Sequence, residues 1–338
     1  MNISVIIPVY NVERFVGRCV TSIMNQTYTE DVECIIVNDC TPDRSMEIVE
    51  ELVAQYNGPI QFKILQHEHN RGVAAVRNTG IDAATGNYVI CIDSDDYCEP
   101  DMLEKMYTKA VEKDADIVIV DHWETHETYE TYFQQIIPST ITDRLKALLT
   151  DSLSVVVWNR MYRRKLCVDN HIKSVEGIDF GEDLLFNIYL FYYAVRVEHI
   201  PHAFIHHIHY NTSSYTKSMS LNSLQNILKG ENAMMLFFDN LEIKKILAPY
   251  LLERRMKNRF TLLFHAKGAL QKEWNALYYD IPFNFSLKYL FTSKSRKLYW
   301  RLPLFFASLK ILWPFNIARM IWRTLRKSNS TIYQKLTK

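Results

Sequence analysis

The stretch ISVIIPVYNVERFVGRCVTSIM, residues 3–24, points to the fold class, because its hydrophobic period changes once along its length. Ile3–Val9 is a short apolar run that contains Pro8 near its end, which is typical of a buried strand. From residue 12 onward the apolar residues recur three or four positions apart, which predicts an amphipathic helix. These residues are Val12, Phe15, Val16, Cys19, Val20, Ile23 and Met24. The stretch is therefore predicted to be one β-α unit.

The same alternation continues through the next hundred residues. Further strands are predicted at 32–38, 60–65, 88–92 and 116–120, with helices at 41–56, 72–84 and 101–113. Continuous apolar strands joined by helices indicate an α/β fold, with a Rossmann-like, mostly parallel sheet flanked by helices. Residues 125–155 are polar and less regular, which favours a connection or lid. Later segments are predicted as a helix at 182–194, a strand at 197–209 and a helical region at 221–275.

Composition and charge narrow the class of protein. Hydrophobic residues make up 48% of the 338 residues and charged residues 23%, which excludes global disorder. Residues 281–338 hold twelve of the 39 Lys and Arg and none of the 38 Asp and Glu, so the preceding part is acidic. The six cysteines are scattered, which favours buried thiols in a reducing compartment. Because residues 1–30 lack a signal-peptide pattern and no uncharged apolar run reaches roughly 18–20 residues, we expect a cytoplasmic protein.

Ligands bind parallel sheets at the carboxyl ends of the strands, so the polar residues that follow each strand are the candidates for a site. Asp93, Ser94, Asp95 and Asp96 follow the apolar strand at 88–92. Three carboxylates in four residues repel one another unless a cation neutralises them, and hard oxygen ligands suit Mg²⁺ or Mn²⁺. The alternative is a solvated acidic turn that caps a helix.

Arg77 and Asp39 are candidates for contacts with a nucleotide. An arginine on the helix after the third strand can bind phosphate through two parallel hydrogen bonds, although a surface arginine is the alternative. Asp39 follows the second strand, where its carboxylate can accept from a base imide N–H. A turn or helix-capping role beside Thr41-Pro42 explains Asp39 equally well.

Four segments resemble, in the right order, the family 2 glycosyltransferases of the GT-A fold. They are Val5-Ile6-Ile7-Pro8-Val9-Tyr10-Asn11, Ile36-Val37-Asn38-Asp39, Asn70-Arg71-Gly72 with Ala75-Val76-Arg77-Asn78-Thr79-Gly80, and Ile92-Asp93-Ser94-Asp95-Asp96. A weaker resemblance continues at 158–164 and 176–186, so that the likeness covers about residues 1–215. No single segment is specific, but the four together are.

The resemblance implies a role for each matching residue. Donor binding is implied for Pro8, Val9, Tyr10, Asn11, Glu13, Asp39, Asn70, Gly72, Arg77, Asp93 and Ser94. Within that set, Pro8, Val9 and Tyr10 would line the nucleobase pocket and Asp39 would bind the uracil edge. Glu13 would lie near the base or ribose, Arg77 near the diphosphate or sugar, and Asp93 near the ribose.

The resemblance also implies an inverting transfer reaction that uses Mn²⁺ or Mg²⁺. Asp93 and Asp95 would form the D-x-D pair, with Asp95 on the metal and Asp96 beside the donor sugar or acceptor. Asp183 would be the general base, with Glu182 helping to orient the acceptor hydroxyl. Without the resemblance, acids favoured by the dipole of a helix N-terminus explain Glu182 and Asp183.

One segment departs from the family pattern. Related sequences have a Tyr-x-Arg-x-x-x-Ser-like segment, whereas residues 205–214 read IHHIHYNTSS. If the two are aligned, His207 replaces the arginine, and His209 is placed as a metal ligand or diphosphate contact. Alternation along a strand puts His207 and His209 on one face and His206 on the other. A strand of hydrogen-bonded histidines is the alternative.

The basic, aromatic segment at 281–338 suggests a peripheral membrane contact. Lys and Arg mixed with Trp and Phe on helices favour an anionic membrane interface, here the inner face of the plasma membrane. Packing on the catalytic domain or on a second subunit is the alternative. Nucleic acid is not expected as a partner, because the rest of the chain is acidic and would repel it.

We therefore expect three regions: a GT-A domain at 1–215, a helical extension at 216–280 and the basic tail at 281–338. The expected enzyme is a hexosyltransferase that moves a sugar from a nucleotide donor, most simply a UDP-sugar, to a glycan or lipid-linked saccharide in polysaccharide assembly. The alternative is a non-catalytic nucleotide-sugar-binding scaffold of the same assembly. A nucleotidyltransferase or dehydrogenase is disfavoured, because no glycine-rich phosphate loop follows the first strand.

Overall fold

The computed structural model describes residues 1–211, 220–292 and 298–336. These residues divide into two units, Met1–Leu241 and Glu242–Lys338. All described strands lie in the first unit, and the second is built from helices.

The nine strands of the first unit form one sheet in the order β3-β2-β1-β4-β8-β6-β9-β5, with β7 paired to β6. The strands are β1 (Ile3–Val9), β2 (Val32–Asn38), β3 (Gln61–Gln66), β4 (Tyr88–Cys91), β5 (Tyr97–Cys98), β6 (Ile117–Thr125), β7 (Glu130–Phe133), β8 (Arg160–Arg163) and β9 (Val197–Ile208). The helices are α1 (Val16–Met24), α2 (Ser45–Gln55), α3 (Val73–Ala83), α4 (Met102–Glu112), α5 (Ile141–Thr150), α6 (Arg164–Asp169), α7 (Glu182–Tyr193) and α8 (Leu221–Asp239).

The first four strands of the sheet follow the predicted parallel pattern. β3, β2, β1 and β4 pair in parallel, and β1 is covered on both faces. Val5 and Ile7 pack in the same apolar cluster as Val16 and Val20 of α1. On the other face, a Cβ on Gly80 of α3 would lie 2.4 Å from Ile6 Cγ2, so the close approach of this helix requires glycine. β3 is at the edge of the sheet and is more exposed than predicted.

The rest of the sheet is mixed rather than parallel. β8 runs antiparallel to β4 and to β6, whereas β6 and β9 are parallel. β6 and β7 form a hairpin through a tight turn in which His126 N–H donates to Tyr129 O, and a hairpin can only join antiparallel strands. The segment 125–155, expected to be irregular, thus contains β7 and α5.

The fold brings the candidate residues to one edge of the sheet. β1, β2 and β4 end at Val9, Asn38 and Cys91, so the residues that follow them leave the sheet side by side. Five of the six cysteines are buried as expected, while Cys40, which follows β2, is exposed.

Helix α8 packs on α7 within the first unit. The Phe237 ring lies 4.6 Å from the Tyr189 ring and 5.3 Å from the Tyr192 ring, measured between centroids. The predicted helical character of residues 221–275 is confirmed.

The second unit has an aromatic centre. Its helices are α9 (Lys244–His265), α10 (Gly268–Ala276), α11 (Phe283–Thr292), α12 (Leu298–Ser308) and α13 (Trp313–Leu336). Phe260 and Phe264 of α9 contact Trp300 of α12, and Phe315 of α13 completes the cluster. Arg319 of α13 donates to carbonyls at the carboxyl end of α9, where cations are favoured. None of the helices in the described ranges combines the length and the apolar character that crossing a bilayer demands.

Candidate active site

Asp39 anchors the loop that leads into α3. Its side chain is almost fully buried at the end of β2, and its two oxygens accept the backbone N–H groups of Arg71 and Gly72, each at 2.8 Å. His67 Nδ1 lies 2.7 Å from Asp39 Oδ1, and its Nε2 lies 2.9 Å from Thr79 Oγ1. Asp39 therefore holds the distant loop that leads into α3, whereas Asn38 Oδ1 accepts the N–H of Thr41 beside it.

Gly72 is needed where this loop enters α3. Its φ of 87° lies in the left-handed region, and an added Cβ would lie 2.3 Å from Asp179 Oδ1. Asp179 also accepts the N–H of Ala74 at 3.4 Å, which places a carboxylate at the N-terminus of the helix. Asn70, two residues before Gly72, is exposed.

The residues that follow β1 form a second short loop at the same edge. Pro8 is partly buried, Val9 is buried and Tyr10 is 47% exposed, so the Tyr10 ring is available to a ligand. Asn11 adopts a left-handed conformation with a φ of 56° and donates its N–H to Thr41 Oγ1 at 2.8 Å. The Pro8–Asn11 and Asp39–Thr41 segments are thus fixed together.

Glu13 stabilises the same pair of loops. Its carboxylate accepts the N–H of Arg44 at 3.1 Å, and its own N–H donates to Asp43 Oδ2 at 2.9 Å. Glu13 is exposed, and its carboxylate joins the segment before α1 to the start of α2.

Arg77 lies at the centre of the site. Its guanidinium is buried and donates to Asp183 Oδ1 at 2.5 Å, Glu182 Oε1 at 3.1 Å and Asp93 Oδ1 at 3.3 Å. Burial alone would lower the pKa of Arg77, but Asp183, Asp93 and Glu182 raise it well above its ordinary value. Arg77 therefore joins the turn after β4 to the start of α7 as a permanent cation.

Glu182 and Asp183 begin α7 after Gly181, which has a φ of 86°. Burial, with the adjacent Asp183 carboxylate, raises the pKa of Glu182. Burial thus favours the neutral form of Glu182, while the nearby Arg77 opposes that rise. The Asp183 side chain is 22% exposed and pairs with Arg77.

Asp93, Ser94, Asp95 and Asp96 form a tight turn in which Asp96 N–H donates to Asp93 O at 3.0 Å. Ser94 is buried, and Asp95 accepts from Asn211 Nδ2 at 2.8 Å. Burial raises the pKa of Asp93 to about 7; Arg77 opposes this rise, and Asp96 and Asp95 add to it. Burial and Asp96 raise the pKa of Asp95 as well. The turn therefore holds more negative charge than its surroundings neutralise.

Asp96 is buried inside the protein, so it is not exposed beside a donor sugar or acceptor as the resemblance implied. Its side chain is fully buried, and its Oδ1 accepts the N–H of Ile208 at 2.8 Å. Its Oδ2 lies 3.1 Å from His207 Nδ1. Burial alone would lower the pKa of His207, but Asp96 raises it to about 9. Asp96 thus joins the turn to β9 and keeps His207 charged.

The histidines of β9 divide between its faces as the alternation predicts. His207 contacts Asp96 and stacks on Trp158, whereas His206 lies between Glu99 and Glu130. His209 is on the His207 face, but its Nε2 lies 3.2 Å from Glu124 Oε2. In the described part of the chain, the group of three possible metal ligands within 4.8 Å of one another is Glu124, His126 and His209, not Asp93, Asp95 and His209. Residues 212–214, which end the family-like segment, lie outside the described residues.

Several supporting residues were not singled out from the sequence. Arg160 is completely buried and donates to Asn187 Oδ1, while Asn187 Nδ2 donates to Asp183 O at 2.8 Å. Arg160 lies in the family-like segment at 158–164, and this resemblance could have identified it as a site residue. Asp179 and Asn211 lie in the segments 176–186 and 205–214 that were compared with the family, whereas His67 lies in none of the family-like segments.

Comparison with known proteins assigns the family. The family model described as glycosyl transferase family 2 matches residues 4–169. The uncharacterized glycosyltransferase EpsJ of Bacillus subtilis is 34% identical over 203 residues, 58% of either chain. The uncharacterized glycosyltransferase YibD of Escherichia coli is 34% identical over 225 residues, 62% of either chain. This chain therefore spans less than two thirds of the length of either relative.

A solved structure extends the likeness of the fold. The crystal structure of S. aureus TarS 1-349 in complex with UDP-GlcNAc matches with a TM-score of 0.70 over 96% of this chain and 92% of that chain. At 19% identity this match shows the fold alone, and it confirms the predicted GT-A class with a helical C-terminal region. The family model and the named relatives show that residues 4–169 of this chain form a glycosyl transferase family 2 domain.

Proposed function

We propose that the chain is an inverting glycosyltransferase that moves a sugar from a UDP-sugar to a hydroxyl of a glycan or a lipid-linked saccharide. The observation that carries the proposal is the buried Arg77 guanidinium, which joins Asp93 to Asp183. Asp93 belongs to the D-x-D turn, and Asp183 belongs to the first turn of α7. The two carboxylates that a displacement needs, one near the diphosphate and one near the acceptor, are therefore held together.

Asp183 is the proposed general base. Arg77 donates to its Oδ1, and the carboxylate is 22% exposed, which would let an acceptor hydroxyl approach it. The acceptor O–H proton passes to Asp183 as the hydroxyl oxygen bonds to the anomeric carbon of the donor. The bond from that carbon to the diphosphate oxygen breaks on the opposite face, and its electron pair leaves with the UDP. A single displacement of this kind inverts the anomeric configuration.

The acidic turn fits a divalent cation. Asp93 and Asp95 have raised pKa values because burial and repulsion from Asp96 are incompletely offset, which is the condition that a bound cation relieves. Carboxylate oxygens at this turn suit Mn²⁺ or Mg²⁺, which Asp95 and Asp93 would hold. Such a cation would supply positive charge to the leaving diphosphate. Asp96 we propose as a positioning residue, because its oxygens are bonded to β9.

The loops after β1 and β2 form the proposed nucleotide pocket. The exposed Tyr10 ring offers a surface on which a base can stack, and Asn11, Glu13 and Asp39 hold the surrounding backbone. S. aureus TarS was crystallised with UDP-GlcNAc and with UDP. We therefore propose a UDP-sugar as donor, with UDP-GlcNAc as the first to test.

The acceptor is proposed to be a growing surface polysaccharide or its lipid-linked precursor. A relative, TarS of Staphylococcus aureus, is named a poly(ribitol-phosphate) beta-N-acetylglucosaminyltransferase and is 27% identical over 201 residues, 58% of this chain and 34% of that protein. A polymer or lipid acceptor agrees with an enzyme that works in the cytoplasm at the membrane surface.

The helices of the second unit leave apolar stripes exposed, which supports a membrane contact. On α13, Trp313, Ile317, Met320 and Ile321 are between 44% and 66% exposed and lie at helical spacing on one face. On α11, Phe283, Leu287 and Phe291 are between 39% and 71% exposed, four positions apart. Because residues 281–338 contain twelve basic and no acidic residues, we propose an anionic lipid surface as the partner of these stripes.

A donor screen tests the proposed activity. UDP release from several UDP-sugars would be measured with Mn²⁺ or with EDTA, in the presence of a membrane lipid extract as acceptor source. We expect release from one donor, abolished by EDTA and by Asp95→Ala or Asp183→Asn. Binding of UDP-sugars without turnover would favour the non-catalytic scaffold, and the absence of both binding and turnover would refute the nucleotide-sugar assignment.

A further inference from the structure

A second group of possible metal ligands lies at the ends of β6 and β9. Glu124 and His126 are two residues apart at the end of β6, and His209 directly follows β9. One ligand atom from each of the three lies within 4.8 Å of the others. Asp93 and Asp95 are not members of this group. The group is therefore separate from the metal site proposed at the D-x-D turn.

The backbone holds the three residues in place. β6 and β9 pair in parallel up to Thr125 and Ile208, and His209 N–H then donates to Thr125 O at 2.9 Å. His126 N–H donates to Tyr129 O at 2.9 Å in the turn that leads into β7. The side chains therefore project from strand ends that are fixed by hydrogen bonds, which favours a preformed site.

The distances are close to those of a metal centre. Zn²⁺ binds imidazole nitrogen at about 2.0–2.1 Å in a tetrahedral arrangement, which puts ligand atoms roughly 3.4 Å apart. Glu124 Oε2 and His209 Nε2 are already 3.2 Å apart, and the His126 and His209 rings stack with centroids 4.6 Å apart. Metal binding would require the two imidazole rings to turn out of this stack, so that one nitrogen of each points at the same ion. One third of the Glu124 and His209 side chains is exposed, which leaves a path for entry.

Neighbouring side chains orient the ligands. His122 Nε2 lies 3.9 Å from Glu124 Oε1, the carboxylate oxygen that does not face His209. The Tyr129 ring stacks on His126 with centroids 4.4 Å apart. His122 and Tyr129 therefore lie directly beside two of the three residues.

We propose that Glu124, His126 and His209 bind a divalent transition metal, for which Zn²⁺ is the best fit, with an open position for water or an anionic group of a ligand. Two imidazoles and one carboxylate suit Zn²⁺ and its neighbours, whereas the carboxylates of the D-x-D turn suit Mg²⁺ or Mn²⁺. The site rests on these three residues and not on the proposed glycosyl transfer.

Co²⁺ is the probe, because tetrahedral Co²⁺ has intense visible absorption bands whereas octahedral Co²⁺ does not. The full chain would be titrated with Co²⁺ in excess Mg²⁺, which occupies hard carboxylate sites, and Zn²⁺ would then be added to displace it. We expect one equivalent of tetrahedral Co²⁺, displaced by Zn²⁺. The bands are expected to be lost in His126→Ala, His209→Ala and Glu124→Gln.

Two variants serve as matched controls. His202→Ala removes an exposed histidine from β9, the strand that His209 follows, and Asp95→Ala removes a carboxylate from the D-x-D turn. Both are expected to keep the tetrahedral bands. Thermal unfolding of each metal-free variant would verify folding, and Glu124→Gln preserves side-chain volume if a histidine variant unfolds. Weak octahedral bands only, bands that persist in folded His126→Ala, or bands lost in Asp95→Ala would each overturn the proposal.

Discussion

The charge of the candidate site depends on Arg77, because three carboxylates share its one guanidinium. We expect Arg77→Met to destabilise the fold by about 3–5 kcal/mol, since it leaves buried carboxylates without their cation. The free energy of unfolding in urea would measure this loss. Arg71→Met is the matched control, because Arg71 pairs with Glu176 where both side chains are more than a third exposed. A loss of at most about 1 kcal/mol is expected there, and equal losses in the two variants would contradict the central role of Arg77.

Asp183 and Glu182 are adjacent acids with different expected roles. Asp183→Asn is expected to lower kcat by about 10²- to 10⁴-fold, because the acceptor hydroxyl loses its proton acceptor, while KM for the donor changes little. Burial favours the neutral form of Glu182, and Glu182→Gln introduces a neutral group of the same shape, so most of the activity should remain. Steady-state kinetics of both variants would measure the difference. The opposite order of losses would transfer the role of base to Glu182.

The raised pKa of Asp93 predicts how the metal-free protein responds to pH. An aspartate that titrates near 7 when folded, against an ordinary value of 3.8, stabilises the fold below pH 3.8. That contribution is lost as the pH rises through about 7, because the folded protein binds the proton more tightly than the unfolded chain. In EDTA, the Tm of the wild type relative to Asp93→Asn should therefore fall between about pH 4 and 7. Mn²⁺ should restore it at pH 7, and a relative Tm that rises with pH would contradict the assignment.

At the scale of elements, the start of α3 depends on Gly72, where both the backbone conformation and the nearby Asp179 disfavour a larger side chain. Gly72→Ala is expected to cost about 3 kcal/mol or more, because the residue has a positive φ and its Cβ would collide with Asp179. Gly177→Ala is the matched control, since its φ of 77° is similar but nothing lies within 4 Å of the added Cβ. It should cost only about 1 kcal/mol. Equal losses in urea unfolding would show that the Asp179 contact is unimportant.

Strands and helices with a regular hydrophobic period could be predicted from the sequence. Strands that form only through long-range pairing could not. β1, β2, β4 and α1 follow from local apolar patterns. β5 has two residues and β8 has four, too few for a periodic signal. The pairing of β6 with β9 shifts register near Asp121. Because of this shift, the contact between Glu124 and His209 could not be predicted from their positions in the sequence. The edge that carries Asp39 and Asp93 was predictable because parallel strands end together, but the bonding of Arg77 to three acids depends on where α7 packs.

At the scale of the whole molecule, charge and apolar surface are unevenly distributed along the chain. Residues 281–338 carry no acid, and the exposed stripe of α13 lies opposite Phe315 and Arg319, which are buried within the second unit. An apolar face turned to solvent on a basic helix is costly unless a surface covers it. The anionic lipid surface proposed above would satisfy both features, because its charge would attract the basic residues and its acyl region would accept the apolar ones.

Binding to lipid vesicles tests whether an anionic membrane surface is the partner of the second unit. The full chain is expected to co-sediment with vesicles that contain anionic phospholipid, less with neutral vesicles, and less at high salt, since screening weakens the attraction. Ile317→Glu with Met320→Glu should lower the partition about tenfold or more, because two exposed apolar side chains are replaced by charges that the lipid repels. Val111→Glu with Val195→Glu adds the same two charges at exposed apolar positions of the first unit and should leave binding nearly unchanged. If both pairs reduce binding equally, net charge alone attracts the protein. If the α13 pair instead dissociates a stable dimer in the absence of lipid, the stripe is an interface between two copies, and the lipid assignment fails.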